Sequence, residues 1–470
     1  IERIFENWNK STENNKYFIA DISEVFIAKQ NSEEIKLRKE YIKKLNEYRK
    51  THNEEELTED LEEKIENGLK ELTNILNCTI PSLEINQNAD EEIVAEIFVR
   101  INSKGQNLNE SDFISTLLSV YNQEIRDKIE RFCKSSHIPE SHTSYNDLIE
   151  VEAPLILRAT AAVAFRRARL RYVYQIMRGK DLETEEVTTE QREENIKKFD
   201  SSIETVLNLN NWHEFLNIVK SSGYINKSII SSKITIIYSY SLFLIAKLDY
   251  KLTSEELKKL IKNWFFMASL TNYYNEGTTE SLVEQLLNNI KLRKTKDEFI
   301  SFIKSLINNR LTDDYFTYTL AGEFENQRTQ GPAWFAFVAS QILLDKNVLF
   351  STNKIVSILS PHASGEKTAY DYHHLFPKNY LINNGTTKEE ANKRANFVVL
   401  DYETNIAISD KEPMLYLNEY KTKLGETEFY KSLKDNAIPE NVVDLEYAEF
   451  IEQRKLLMSN LIKQAWNKIK

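Results

Sequence analysis

Apolar residues recur along most of this chain at helical spacing. Over residues 31–75, leucine and isoleucine return every three or four positions in a background of Glu, Lys and Asn. That is the pattern of a solvated helical hairpin. From about residue 126 to 330 one amphipathic segment follows another, and Trp264-Phe-Phe-Met-Ala-Ser-Leu270 with Tyr273 and Tyr274 forms an aromatic stripe spaced for packing. Ile234 to Ala246 is nearly apolar, but Thr235, Ser239 and Ser241 interrupt it, and it is too short to span a bilayer. A polar stretch, Asn326 to Gln330, precedes Gly331-Pro-Ala-Trp-Phe-Ala-Phe337, which opens a new apolar helix. The expected divisions are therefore 1–125, 126–330 and 331–470, with no repeat of solenoid period.

The pattern changes after residue 370. Tyr370 to Leu375 is rich in aromatic and bulky residues and runs into Pro377, as a short strand entering a loop does. Asn396 to Leu400 predicts a second, β-branched strand. Beyond it, Ser409 or Asp410 is placed to cap a helix that accepts Pro413 in its first turn and continues through Leu415, Tyr416 and Tyr420.

Composition sharpens the fold class. Only 10 glycines and 8 prolines punctuate 470 residues, well under the usual shares of about 7% and 5%, which leaves little turn chemistry for a strand-rich fold. The expectation is a mainly α protein, α+β overall, with a multi-helix body and a C-terminal ββα unit. Two cysteines, Cys78 and Cys133, make neither a disulfide framework nor a metal spacing. A cytoplasmic location follows as the default.

The candidate chemistry lies in the C-terminal unit. Of seven histidines, His373 and His374 are adjacent, inside Asp371-Tyr-His-His-Leu-Phe-Pro-Lys378. Asn396-Phe-Val-Val-Leu400 and Thr404-Asn405 follow. Phosphodiester cleavage needs a base to deprotonate water, a cation to neutralise charge on phosphorus, and something that holds the two in register. Imidazole, with an unperturbed pKa of about 6.5, is suited to the first task. A second imidazole and an amide oxygen suit a divalent ion whose shell is completed by water and phosphate oxygens. This is the layout of an HNH-type nuclease site. An isolated His-His pair near a turn is also an ordinary surface or hydrogen-bonded feature, and Asp371 has room either in the site or at an exposed strand start.

These residues resemble the HNH domain of GmrSD-like, modification-dependent (type IV) restriction enzymes, whose pattern runs D-x-H-H, two hydrophobic residues, P-K, then N and three hydrophobic residues, then N. The resemblance implies His374 as general base, His373 and Asn405 as metal ligands, Asn396 as the amide pinning the histidine loop, and Lys411 as a phosphate-facing cation. Asn405 stands where the name has its last histidine, which leaves the ion open between Mg2+ and Mn2+. A second segment, Glu96-Ile-Phe-Val-Arg-Ile-Asn-Ser-Lys-Gly-Gln-Asn-Leu-Asn-Glu-Ser-Asp-Phe113, resembles part of the same family's N-terminal ParB/sulfiredoxin-like module. It implies nucleotide contacts at Arg100, Asn102 and Ser103. As a turn followed by a helix cap, the segment also needs no function. The family's D-G-Q-Q-R motif is absent, and the chain opens on Ile1. A shortened module is therefore expected, which leaves NTP hydrolysis by this chain unassigned, with a nucleoside triphosphate a cofactor of the full-length form.

Net charge is −11, which argues against indiscriminate DNA binding. Yet Ala153 to Lys180 contains no acid and gathers Arg158, Arg166, Arg167, Arg169, Arg171, Arg178 and Lys180 around Phe165, Tyr172 and Tyr174. This is either a phosphate track, with Arg166, Arg167, Arg169 and Arg171 on DNA, or an arginine-rich helix paired with acidic neighbours. The combined expectation is a metal-dependent endonuclease acting on modified foreign DNA in antiviral defence, a homodimer if both strands are cut, with no membrane partner. The alternatives are a non-cleaving DNA-binding sensor subunit and an RNA-cleaving growth-arrest nuclease.

Overall fold

A computed structural model describes residues 22–79, 114, 122–137, 146, 148–182, 184–275, 278–326, 331–360 and 370–470. Arg100, Asn102 and Ser103, with the segment Glu96 to Phe113, lie outside the described residues. The chain divides into two compact units, Ile1–Ala89 and Asp90–Lys470.

In the first unit, α1 (Ser23–Gln30), α2 (Glu34–Thr51) and α3 (Glu59–Thr73) form a small helical cluster. The Tyr41 and Leu45 positions of α2 and the Ile65 and Leu69 positions of α3, each pair four residues apart, meet Val25 and Leu57 in its core. Helical period puts such pairs on one face, which is why a stretch so rich in charge still buries a seam. The amide of Leu57 donates to Asn46 Oδ1 at 2.8 Å, tying the α2–α3 connection to α2.

The second unit is mainly helical. In order come α4 (Gln123–His137), α5 (Ala153–Phe165), α6 (Leu170–Met177), α7 (Thr189–Val206), α8 (Leu209–Ser221), α9 (Lys233–Leu248), α10 (Ser254–Leu270), α11 (Thr279–Lys291), α12 (Lys296–Arg310) and α13 (Pro332–Leu343). Every residue of α9 from Thr235 to Ala246 is buried, so the apolar run is a core helix. Its hydroxyls are tolerated where they bond back along the helix, as Ser241 does to the Ile237 carbonyl at 3.0 Å. Helix α10 starts on a reciprocal cap: Glu256 N donates to Thr253 Oγ1 at 3.3 Å and Thr253 N to Glu256 Oε2 at 2.8 Å. The aromatic stripe is packing, since Trp264, Phe265, Phe266 and Met267 are all fully buried. No helix among the described residues is long and apolar enough to cross a membrane.

The remainder holds β1 (Tyr370–His374), α14 (Lys378–Asn383), α15 (Lys388–Ala391), β2 (Phe397–Asp401), α16 (Tyr402–Ile408), α17 (Pro413–Leu424), α18 (Glu426–Asp435) and α19 (Tyr447–Ile469). The strands pair antiparallel with His373 opposite Val398 and His374 opposite Phe397.

Three expectations need correction. The boundaries at 125 and 330 separate no compact bodies: α13 packs on α10 as well as α19, and one hydrophobic core runs from Ile114 to Ile469. The helix after β2 begins at once, capped by Asp401, whose side chain accepts from Thr404 N at 2.9 Å. The expected helix with Pro413 in its first turn, through Leu415, Tyr416 and Tyr420, is the separate helix α17, but its N-cap is Glu412 rather than Ser409 or Asp410, which follow α16. Finally, the arginine-rich stretch is not one helix. Helix α5 stops at Phe165, and Arg166 takes left-handed backbone angles, φ 53° and ψ 46°.

Candidate functional site

The site is a loop held between two strands. Leu375 and Phe376, which follow β1, are buried, and Pro377 then turns the chain into α14. On the return, Thr387 and Glu390 form a capping box for α15. Asn392 closes that helix, and the turn Arg394–Asn396 leads into β2.

Asn396 joins the two passages. Its side chain is fully buried. Oδ1 accepts from Phe376 N at 2.9 Å, while Nδ2 donates to Phe376 O and to Ala391 O, both at 3.0 Å. Its backbone carbonyl also accepts from Leu375 N at 2.7 Å. The amide thus uses both hydrogens and an oxygen lone pair to clamp the segment directly after the histidines.

His374 is half-buried, with its ring tilted over Phe397 at a centroid distance of 4.2 Å. Its Nε2 lies 3.0 Å from Asn392 Oδ1. Burial pulls its pKa below the ordinary imidazole value; the Asn392 contact opposes this, and the charges of His373 and Lys378 add to it. Burial thus works against the charged form of this ring. His373 precedes His374 on β1, opposite Val398 of β2, and is likewise half-buried. Tyr372, two residues from His374, packs edge-on against Trp334 at 5.4 Å.

Asn405 lies on α16, which packs against both strands. The expected ligands, His373 and Asn405, are one imidazole and one carboxamide. Such a pair suits an ion held chiefly by water and phosphate oxygens rather than a closed structural site. Among the described residues no group of three or more His, Cys, Asp or Glu is placed to hold a metal. Lys411 is exposed and pairs with Glu419 at 2.8 Å.

Two buried side chains, Arg454 and Tyr416, and the half-buried Tyr447 support the loop from behind. Arg454 of α19 donates to Ala395 O at 2.6 Å, Tyr416 of α17 donates to Leu375 O, and Tyr447 donates to Glu390 O at 2.6 Å. Burial pulls the Arg454 pKa down, against the influence of Tyr416 and Tyr447. Sequence reasoning missed Asn392, Arg454, Tyr416 and Tyr447. The Thr387-x-x-Glu390 spacing was a readable signal for the helix that Asn392 ends, whereas nothing local marks Arg454.

The arginines lie elsewhere in this unit. Arg158 pairs with Glu280 at 2.6 Å, Arg166 with Asp249, and Arg167 with Glu284 at 2.6 Å. The other Glu284 oxygen accepts from Ala168 N at 2.6 Å and Arg169 N at 3.2 Å. Arg169 and Arg171 flank Tyr172, their guanidinium carbons 5.9 and 4.8 Å from its ring centre. Acidic pairing thus accounts for Arg166 and Arg167, and Arg169 and Arg171 remain beside an aromatic ring.

No protein-family model matches this chain. No curated protein matches it either.

Proposed function

We propose that the chain is a metal-dependent DNA endonuclease of the HNH type, in which His374 is the general base. The observation that carries this reading is a half-buried imidazole at the end of β1, with an amide oxygen 3.0 Å from its Nε2 and followed by a loop clamped by Asn396. Preorganised bases of this kind contribute roughly 10²–10⁴-fold to hydrolysis. His374 takes a proton from water as the water oxygen bonds to phosphorus. The bond to the 3′ oxygen breaks, that oxygen takes a proton from solvent, and a 5′-phosphate remains. A divalent ion, Mg2+ or Mn2+, held by His373 and Asn405, would supply charge neutralisation at the phosphate. The resemblance to modification-dependent restriction enzymes extends the proposal to modified foreign DNA and antiviral defence, with Arg169 and Arg171 as phosphate contacts and Lys411 exchanging Glu419 for phosphate.

The test is nicking of supercoiled plasmid with Mg2+ or Mn2+. His374→Ala is expected to lower the rate at least about 100-fold while DNA binding persists. Binding without cleavage under every divalent ion would point instead to a sensor subunit, and preference for RNA to a ribonuclease.

A further inference from the structure

We infer that Asn392 is the positioning residue that sets the tautomer of His374, which assigns Nδ1 as the nitrogen that accepts the proton. The inference rests on the nuclease reading for its chemistry, though the tautomer itself does not. Carboxamide oxygens only accept hydrogen bonds. With Oδ1 of Asn392 at 3.0 Å from Nε2, Nε2 carries the hydrogen and the ring lone pair is on Nδ1.

The contact is built rather than incidental. Asn392 ends α15, whose start is locked by the Thr387–Glu390 box and whose last residue, Ala391, gives its carbonyl to Asn396 Nδ2 at 3.0 Å. On the other side, Tyr447 holds the Glu390 carbonyl at 2.6 Å. The backbone carrying Asn392 is thus fixed from two directions, while Phe397 limits tilting of the His374 ring. One carboxamide clamps the loop and a second, four residues earlier, orients the base. In other hydrolytic sites the partner on the far nitrogen of a catalytic histidine has the same task.

The experiment is 15N–1H correlation of the histidine rings in the full metal-free chain at neutral pH, beside plasmid nicking by the same variants. Wild type is expected to show His374 protonated at Nε2 with Nδ1 bare. Asn392→Ala is expected to give mixed tautomers and a kcat about 10- to 100-fold lower with KM little changed, on the scale of lost orienting partners. Asn392→Asp, whose carboxylate still accepts from Nε2–H, is expected to restore the single tautomer and most of the rate. Protonation at Nδ1 in the wild type, or an unchanged tautomer and rate in a folded Asn392→Ala, would overturn the inference and leave the nuclease reading intact. Bare Nδ1 in a wild-type protein that cuts no DNA would support the tautomer and overturn the nuclease.

Discussion

Asn396 shows how much one side chain can hold at this site. Replacing it with alanine leaves the Phe376 amide and the Phe376 and Ala391 carbonyls inside the protein without their present partners. Each such loss costs about 1–3 kcal/mol. Asn396→Ala is therefore expected to lower stability by about 3 kcal/mol or more in denaturant unfolding, with cleavage falling because the histidine loop loosens. Asn396→Asp is expected to be no better, since a carboxylate has no hydrogens to give two carbonyls. Lys411 is the contrast. Its pair with Glu419 is exposed, and pairs of that kind contribute about 0–1 kcal/mol. Lys411→Ala is expected to leave the melting temperature within about 2 °C, so any loss of cleavage reports a phosphate contact.

At the scale of elements, the decisive device is the break between α5 and α6. Arg166 enters the left-handed region although it is not glycine. Its guanidinium donates to the end carbonyls of Ala162 and Val163 and reaches Asp249, filling positions that a helix end leaves open. Glu284, from α11, then receives the amides of Ala168 and Arg169, the two residues just before α6. Burial pushes this carboxyl up, but the Ala168 and Arg169 amides and the Arg167 guanidinium outweigh burial and hold it below 4.5. A carboxyl depressed in the folded state contributes stability above its unfolded pKa and loses it as pH falls through the folded value. Glu284→Gln is therefore expected to cost about 2 kcal/mol at pH 7, with the difference from wild type narrowing below pH 4.5. Urea unfolding at pH 7, 5 and 3 measures it. The cap of α16 belongs to the same scale. Asp401 reads as the last residue of a strand, and it is one; an N-cap also has extended backbone, so one residue ends β2 and begins the helix that carries Asn405.

For the molecule as a whole, the shared core of the second unit matters most. Trp334, Ala336, Val338 and Ala339 of α13 are fully buried, and their helix packs between α10 and α19. A cut at 330 would bare that face to water at about 25 cal/mol per Å² of apolar surface. The fragment 331–470 is thus expected to show poorly dispersed amide spectra and no cooperative melt, despite holding the complete histidine loop. A cooperative transition in that fragment would restore the division at 330. The loop's backing by Arg454 and Tyr447 from α19 points the same way.

Local pattern was enough to specify helices through most of the chain, the buried character of α9 and the aromatic stripe, and two short strands at the histidines and at Asn396. Periodicity and β-branched runs act on neighbours in sequence, so they are legible there. Tertiary structure decided that Arg166 and Arg167 face carboxylates, that Arg454 braces the turn before β2, and that Asn392 meets His374 across 18 residues. These contacts join residues far apart in the chain, and each exists because packing excludes water and makes a buried polar group find a partner. No periodic signal within one segment encodes which distant partner that will be.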